Sequence, residues 1–366
     1  MSSNFYETDL RTIKPLIGRT SDDIQQRCHY LCANYLNGIW SVTKPEDIVI
    51  ERISGGMSNQ LYHCTLPGHK VINDEPNEVV VRLYKENIAS DRHNDTVIGL
   101  LMSEYGLGPK IHGSFPEGVI QQYIQHRQFG IQEQNDEKLV LELARKLAVL
   151  HSMKVPLNRR QNWLLNTIDK KMQIAYQMSP PIDKLIDELK LDLLTTDRLN
   201  EELLWIRQLT IVTDCPVCFT HNDFKSDNIM VIGNECDVNS NLISNRLLFC
   251  DFEYSGYGLR GYDFGTLFAE WNRCLPNDYK NLQKFPDDNQ LKPFVDEYYR
   301  ESVRLAGSGF ATDSRNSYQN IVNEIKVFTL VSNIFMTIAT LAFDVHNCPE
   351  MPFLTKSVLM ISANQH

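Results

Sequence analysis

The sequence His221-Asn222-Asp223-Phe224-Lys225-Ser226-Asp227-Asn228 is followed further along the chain by a second polar cluster, Asp251-Phe252-Glu253. Each cluster comes directly after a predicted strand, Val217–Thr220 or Leu247–Cys250. Transfer of a phosphoryl group needs a carboxylate that accepts the proton of the attacking hydroxyl, and it needs oxygen ligands for Mg²⁺. The pattern His-x-Asp-x4-Asn, followed by a strand and an Asp, supplies both kinds of group.

The spacing assigns a role to three of these side chains. Asp223 is the predicted base, and Asn228 and Asp251 are the predicted ligands of Mg²⁺. Either cluster alone is also typical of a polar turn or of the end of a strand. Together and in this order, they predict a kinase that moves the γ-phosphate of ATP onto a hydroxyl.

A glycine turn in the N-terminal half predicts a matching site for ATP. The segment Ser54-Gly55-Gly56-Met57-Ser58-Asn59 lies between predicted strands at Asp47–Ile53 and Gln60–Thr65. Glycine lets backbone N–H groups approach phosphate oxygens, and the side chains of Ser58 and Asn59 add donors. A double glycine is also common in ordinary hairpins, so the segment alone does not decide between the two interpretations.

A strand arginine is the predicted cation of the ATP site. Arg82 lies in the predicted strand Glu78–Tyr84, in the position where protein kinases place a lysine that binds phosphate. Asp95, on a helix predicted at about 91–105, is its expected partner, and Glu104 on the same helix is the competing one.

The distribution of strands and helices predicts an α+β fold. Short strands and one inserted helix fill the first part of the chain, whereas Leu139, Leu143, Leu147 and Leu150 begin a mainly helical part. We therefore expect an N-terminal ATP-binding lobe at 1–124, built on a small antiparallel sheet. We expect a C-terminal catalytic and substrate-binding lobe at 125–366.

The amino-acid composition indicates which kinds of partner the protein binds and in which cellular compartment it lies. The chain has 366 residues, a formal net charge of −10 and nine cysteines without regular spacing. The negative charge disfavours nucleic acid as a partner, and the cysteines favour reduced thiols in the cytoplasm. The uncharged stretch Val327–Phe343 is predicted to be a buried amphipathic helix and not a membrane span, because Thr329, Asn333 and Thr337 recur at helical spacing.

Several segments resemble choline/ethanolamine kinases: Ser54–Asn59, Val81–Tyr84, Leu107–Lys110, His221–Asp223, and above all Asp251–Gly265 with Phe268–Trp271. The resemblance implies a protein-kinase-like bilobal fold, Mg²⁺ and ATP as cofactors, and choline or ethanolamine as substrate. The reaction is then the first step of phosphatidylcholine or phosphatidylethanolamine synthesis. The resemblance leaves a homodimer open.

The same resemblance implies the residues of the substrate pocket. Tyr254 and Glu270 correspond to residues that bind the cationic head group, and Trp271 and Phe335 are candidates for its aromatic walls. Aromatic faces and a nearby carboxylate suit an ammonium group. Trp271 is equally well explained by core packing.

The sequence departs from the family at several positions. Phe335 and Ile338 stand where a tryptophan pair is usual, and Leu275 stands where an aromatic residue is expected. Lys225 replaces a neutral residue, Asp227 replaces a glycine, and Gln122, in the ATP site, stands where a glutamate is usual. These changes leave open a smaller amine or another alcohol, such as an aminoglycoside or a sugar. A pseudokinase is a separate alternative, and the presence of Asp223, Asn228 and Asp251 together argues against it.

Overall fold

The computed structural model describes residues 21–53, 59–68, 75–84, 92–159, 163–177, 184, 195–233, 245–272 and 285–341. The chain divides into two compact units, Met1–Gln125 and His126–His366.

The first unit is built on one five-stranded antiparallel sheet with the strand order β1-β2-β3-β5-β4. β3 lies at its centre, and the side chains of Val79, Val80 and Val81 are all buried, as expected of a β-branched run covered on both faces. The described elements are α1 (Ser21–Tyr35), β1 (Val49–Ile53), β2 (Asn59–Thr65), β3 (Glu78–Tyr84), α2 (Arg92–Glu104), β4 (Ile111–Phe115) and β5 (Gly118–Gln122), with 3₁₀ turns at Gly38–Ser41 and Pro45–Asp47.

The core of this unit lies between the sheet and α1. Trp40 is fully buried there, and its indole Nε1 donates a hydrogen bond of 2.7 Å to the carbonyl of Pro76. Gly118 pairs with Leu83 across the centre of the sheet, and a Cβ at Gly118 would lie 2.0 Å from the carbonyl oxygen of Arg82. Only glycine allows the two strands to approach so closely beside Arg82.

The second unit is mainly helical and carries two small antiparallel sheets, one of β7 with β10 and one with the order β6-β8-β9. Its described elements are β6 (His126–Gln128), α3 (Ile131–Gln134), α4 (Glu137–Ser152), α5 (Trp163–Gln177), α6 (Thr196–Val212), β7 (Val217–Thr220), β8 (Ile229–Ile232), β9 (Leu247–Phe249), β10 (Gly256–Leu259), α7 (Arg260–Ala269), α8 (Asp288–Ala306), α9 (Ser308–Thr312) and α10 (Tyr318–Leu341), with 3₁₀ turns at Ser226–Asn228, Phe252–Tyr254 and Ser314–Asn316.

Helices α7 and α10 pack closely at the centre of this unit. Phe328 on α10 fills the space above two glycines of α7, because a Cβ at Gly261 would lie 2.2 Å from its ring and one at Gly265 would lie 2.1 Å from its carbonyl oxygen. The buried guanidinium of Arg260 forms two hydrogen bonds to Glu324, from Nε at 3.0 Å and from Nη2 at 2.6 Å. This bidentate pair fixes the start of α7 against α10.

The apolar helix α10 belongs to the core of the unit. By length and composition, Tyr318–Ala339 could cross a membrane, but 72% of its apolar window is buried inside the protein. The helix is buried as predicted, and its polar residues Thr329, Asn333 and Thr337 are buried too. The two threonine hydroxyls donate to backbone carbonyls four residues earlier, which satisfies these side chains inside the core.

Candidate active site

The polar loop after β7 begins with a residue in the left-handed conformation. Asn222 has φ +64°, which asparagine tolerates better than most residues. Its side chain is bonded at both ends, because Oδ1 accepts from the Thr220 hydroxyl at 2.9 Å and Nδ2 donates to the Tyr254 carbonyl at 2.9 Å. These bonds fix the direction in which the chain leaves the strand.

A buried carboxylate beneath the loop binds its backbone. Asp263 on α7 is 0% exposed, and its two oxygens accept from the backbone N–H groups of His221 and Asn222, both at 2.8 Å. His151 on α4 adds a third bond, because its Nε2 lies 3.1 Å from Asp263 Oδ2. The carboxylate thereby connects α7, α4 and the loop.

His151 is held as a neutral imidazole. Burial lowers its pKa, against the opposing effect of the carboxylate of Asp263. Its Nε2–H donates to Asp263, so its Nδ1 accepts from the Tyr298 hydroxyl at 2.8 Å. The tautomer follows from these two partners.

The loop is also bonded to the chain segment that carries Asp251. His221 Nε2 donates to the carbonyl of Cys250 at 3.0 Å, and the N–H of Cys250 donates to the carbonyl of Asn228 at 3.0 Å. Asp251 follows directly, with φ +63° in the left-handed region. The two polar clusters of the sequence therefore lie side by side, as β8 pairs with β9.

Asp223 and Asn228 are joined directly. The Nδ2 of Asn228 donates to the Asp223 carbonyl at 2.8 Å and to the Asp223 carboxylate at 2.9 Å. Asn228 is buried, whereas Asp223 and Asp251 are partly exposed. The structure thus brings together the three residues for which the sequence predicts a base and two metal ligands.

The donor atoms of these residues fit Mg²⁺. Because Nδ2 of Asn228 is bonded to Asp223, the amide oxygen is left for a ligand. Asp251, the second oxygen donor, directly follows Cys250, whose N–H donates to the Asn228 carbonyl. Within the described part of the chain, no three His, Cys, Asp or Glu side chains form a metal cluster. Mg²⁺ is usually held by one or two protein ligands together with substrate phosphates and water, so two oxygen ligands are sufficient.

A lysine and a glutamate flank the predicted base. Lys225 Nζ lies 3.3 Å from Asp223 Oδ2, and Glu270 accepts a hydrogen bond of 3.0 Å from the backbone N–H of Ser226. Burial alone would lower the pKa of Lys225, but the nearby carboxylates of Asp223 and Glu270 raise it above its usual range. Lys225 is therefore an ammonium at neutral pH.

Four aromatic rings pack together beside the loop. The ring of Trp163, at the start of α5, lies 5.7 Å from that of Tyr254, 5.6 Å from that of Tyr262 and 5.9 Å from that of Phe335. Tyr262 and Phe335 are buried, whereas Tyr254 is 39% exposed. Burial, followed by the charge of Glu253, raises the pKa of Tyr254 above its usual range, so its phenol is neutral at physiological pH.

Comparison with known proteins identifies the family. The family model described as choline/ethanolamine kinase matches residues 50–358. The chain belongs to the choline/ethanolamine kinase family. It is 30% identical to the human protein named choline/ethanolamine kinase, over 86% of this chain and 79% of that protein. It is 29% identical to choline kinase A2 of Caenorhabditis elegans, over 92% and 82%.

Solved structures agree on the fold of this family member. A choline kinase from Cryptosporidium parvum superposes with a TM-score of 0.69 at 17% identity, covering 93% of this chain and 94% of that one. A Plasmodium vivax ethanolamine kinase gives a TM-score of 0.68 at 19% identity, over 95% and 89%. The predicted α+β, protein-kinase-like fold is confirmed.

The predicted ATP-binding residues of this kinase-family chain lie in its first unit. Arg82 Nη2 is 3.8 Å from Asp95 Oδ2, which is the predicted pair. Asn59 pairs with Tyr84 across β2 and β3, and Gln122 is exposed at the end of β5, where its Oε1 accepts from the Lys110 N–H at 3.4 Å. The predicted positions Ser54, Gly55, Gly56, Met57, Ser58 and Leu275 lie outside the described residues.

Two predicted wall residues lie in different surroundings. Phe335 belongs to the aromatic cluster of Trp163 and Tyr254, although it is buried behind them. Trp271 is buried elsewhere, with its ring 4.8 Å from that of Phe268 and 6.2 Å from that of Phe129. These contacts favour core packing for Trp271.

Sequence reasoning missed three residues of this site. Asp263 could have been suspected, because it is the one acidic side chain in the mostly apolar helix α7. His151 and Trp163 gave no such signal, since each lies in an ordinary helical pattern. Their roles depend on which elements pack together in three dimensions.

Proposed function

We propose that this protein is an ATP-dependent kinase that phosphorylates the hydroxyl of choline or ethanolamine. The observation that carries the proposal is the bonding of Asp223 to Asn228 beside Asp251, in a member of the choline/ethanolamine kinase family. An enzyme of this class needs a base next to a metal-binding amide and carboxylate, and these three side chains meet that requirement.

Asp223 acts as the general base in this proposal. One carboxylate oxygen receives the proton of the acceptor hydroxyl, while Asn228 Nδ2 donates to the carboxylate and holds its orientation. The bonds from Asp263 to the backbone of His221 and Asn222 fix the start of the loop that carries the base. A base held in this way needs little reorganisation when the acceptor binds.

Asn228 and Asp251 would hold Mg²⁺, which when bound neutralises charge on the phosphates of ATP. In the first unit, we assign Asn59, Arg82 and Gln122 to ATP binding, together with the glycine segment 54–58. The contact of Arg82 with Asp95 restrains the guanidinium, which supports its assignment as the cation that meets phosphate.

The acceptor pocket is assigned to Tyr254, Glu270 and the aromatic cluster. The partly exposed Tyr254 and the ring of Trp163 supply π-electron density for an ammonium group, and Phe335 packs against Trp163. Glu270 supplies negative charge near the loop, where it bonds Ser226. Trp271 is not included, because its ring packs in the core.

An assay of ADP release tests the function. The purified protein is incubated with Mg²⁺, ATP and one of the following: choline, ethanolamine, mono- or dimethylethanolamine, a sugar or an aminoglycoside. We expect turnover with choline or ethanolamine to exceed turnover with sugars and aminoglycosides. Turnover only with a sugar or an aminoglycoside would replace the substrate class, and the absence of turnover with every acceptor would identify a pseudokinase.

We further assign the protein to the cytoplasm and to an early step in the synthesis of phosphatidylcholine or phosphatidylethanolamine. The described cysteines Cys28, Cys32, Cys64, Cys215, Cys218 and Cys250 are all free thiols, which suits a reducing compartment. Gel filtration with light scattering would decide whether the protein is a homodimer.

A further inference from the structure

Lys225 lies in the predicted catalytic loop, and its neighbours fix its backbone on both sides. Its N–H donates to the Asp223 carbonyl at 3.0 Å, and its own carbonyl accepts from the N–H of Asn228 at 3.0 Å. The next residue, Ser226, donates to Glu270. The backbone of Lys225 is therefore held in place, and the Nζ atom of its side chain lies 3.3 Å from Asp223 Oδ2.

The surroundings of Lys225 are strongly acidic. Asp223, Glu270 and Asp227 are the carboxylates that act on its charge, and together they keep it an ammonium even though it is partly buried. A side chain that is 29% exposed can still move towards a ligand. The loop thus holds a mobile positive charge next to the atom proposed to accept the proton.

We propose that Lys225 is a catalytic residue that binds the transferring phosphoryl group. The proposal rests on the proposed function. In that reaction, the acceptor oxygen forms a bond to the γ-phosphorus of ATP and its proton passes to Asp223. The bond from the γ-phosphorus to the bridging oxygen breaks, and its electron pair leaves on the β-phosphate of ADP.

The position of Asp223 places the phosphoryl group within reach of the lysine. A general base must lie within hydrogen-bond distance of the acceptor oxygen, which approaches phosphorus to about 3 Å. Lys225 Nζ already contacts the same carboxylate, so a rotation about its flexible stem brings it to the phosphoryl oxygens.

The contact with Asp223 changes during the reaction. Asp223 Oδ2 already accepts from Asn228 Nδ2 and contacts the ammonium of Lys225, so the acceptor hydroxyl approaches the other carboxylate oxygen, Oδ1. The arriving phosphoryl group is an anion that draws the ammonium away from Oδ2. Lys225 then stabilises the charge that develops on the phosphoryl oxygens.

Kinetics of Lys225→Gln, Lys225→Arg and wild type test the proposal, with Lys292→Gln as the matched control. Lys292 is an exposed lysine of α8 that pairs with Asp296. We expect Lys225→Gln to lower kcat by about 10²- to 10³-fold, the usual effect of losing one group that stabilises the transition state, with KM for the amine changed less than about threefold. The kcat of Lys225→Arg should be at least about tenfold higher than that of Lys225→Gln, because arginine restores a cation.

A binding measurement separates this role from a purely structural one. Titration calorimetry compares Mg²⁺-ADP alone with Mg²⁺-ADP plus aluminium fluoride and the amine, a mimic of the phosphoryl group in transfer. We expect Lys225→Gln to weaken binding of the mimic by about 100-fold and to bind ADP alone like wild type. Unchanged binding of ADP also shows that the variant is folded.

Three results would overturn the inference. A kcat for Lys225→Gln close to that of wild type removes Lys225 from the reaction. Equal binding of the mimic by variant and wild type makes Lys225 only a counterion of Asp223. If wild type transfers phosphate to neither choline nor ethanolamine, the proposed function itself fails, which is visible without any variant and removes the basis of the inference.

Discussion

Replacing Asp263 by asparagine tests whether this buried carboxylate holds the catalytic loop in place. Its two oxygens accept from the N–H groups of His221 and Asn222, each at 2.8 Å, and from His151 at 3.1 Å. Asparagine has the same shape but only one acceptor oxygen. Whichever way the amide is turned, at least one loop N–H faces an NH₂ group and loses its partner.

The magnitude follows from the number of bonds affected. A lost hydrogen bond to a charged group costs about 1.5–3 kcal/mol, and the remaining bonds weaken because their acceptor is no longer charged. We therefore expect Asp263→Asn to lower the free energy of unfolding by about 3 kcal/mol, which is more than a hundredfold in the equilibrium constant. This is a large part of the 5–15 kcal/mol typical of a folded protein.

Urea unfolding followed by circular dichroism measures this difference. Asp227→Asn is the control, because Asp227 is an exposed carboxylate of the same loop and its loss should change stability by less than about 0.5 kcal/mol. A loss below about 1 kcal/mol for Asp263→Asn would refute the idea that this carboxylate supports the loop. The same variant should lose turnover even at urea concentrations where it remains folded, since the loop carries Asp223.

Four further predictions concern single residues. Asp223→Asn should retain ATP binding by calorimetry and lose about 10²- to 10⁴-fold in turnover; near-normal turnover would remove it as the base. Asp251→Ala should abolish Mg²⁺-dependent activity, and recovery in excess Mg²⁺ would assign it a lesser role. Trp163→Leu should raise the KM for choline about 3- to 30-fold, while the KM of Trp163→Phe stays near that of wild type. Equal KM values for Trp163→Leu and wild type would show that Trp163 serves only core packing. Burial lowers the pKa of His151, so on acidification the unfolded chain takes up a proton before the folded protein does. The free energy of unfolding should therefore fall below about pH 6.5, by up to about 1.4 kcal/mol per pH unit. His151→Gln should flatten this slope in urea titrations, and an unchanged slope would contradict the prediction.

Local sequence signals predicted the elements that carry the site. The strands Glu78–Tyr84 and Val217–Thr220 have the predicted bounds. A β-branched run and a regular helical pattern are properties of neighbouring residues, so they are readable without tertiary structure. The spacing of Asp223, Asn228 and Asp251 was readable for the same reason.

Other elements depend on partners that the sequence does not reveal. β10, Gly256–Leu259, carries two glycines and is a strand only because it pairs with β7. The strand Ile229–Ile232 was also missed, although it connects the loop to β9. Both lie beside polar clusters that dominated the local pattern.

The aromatic pocket shows the same limit. The sequence indicated that an aromatic face is lost where Phe335 and Ile338 replace tryptophans. In the structure, Trp163 contacts both Phe335 and Tyr254, although it lies far from either in the sequence. Only the packing of α5 against α10 supplies this ring, so spacing within the C-terminal helix could not predict it.

Two departures from the family in the catalytic loop balance each other in charge. Lys225 adds a positive charge and Asp227 adds a negative charge, at two positions where the resemblance to the family implies a neutral residue and a glycine. Asp227 is among the carboxylates that raise the pKa of Lys225, so the two charges are coupled. The net charge of the loop is unchanged by the pair, and its attraction for a cationic amine persists at a distance. At close range, however, the ammonium of Lys225 lies against Asp223 and repels a cationic acceptor until it moves to the phosphoryl group. Nucleotide binding should therefore strengthen amine binding in this protein, and the coupling should disappear in Lys225→Gln.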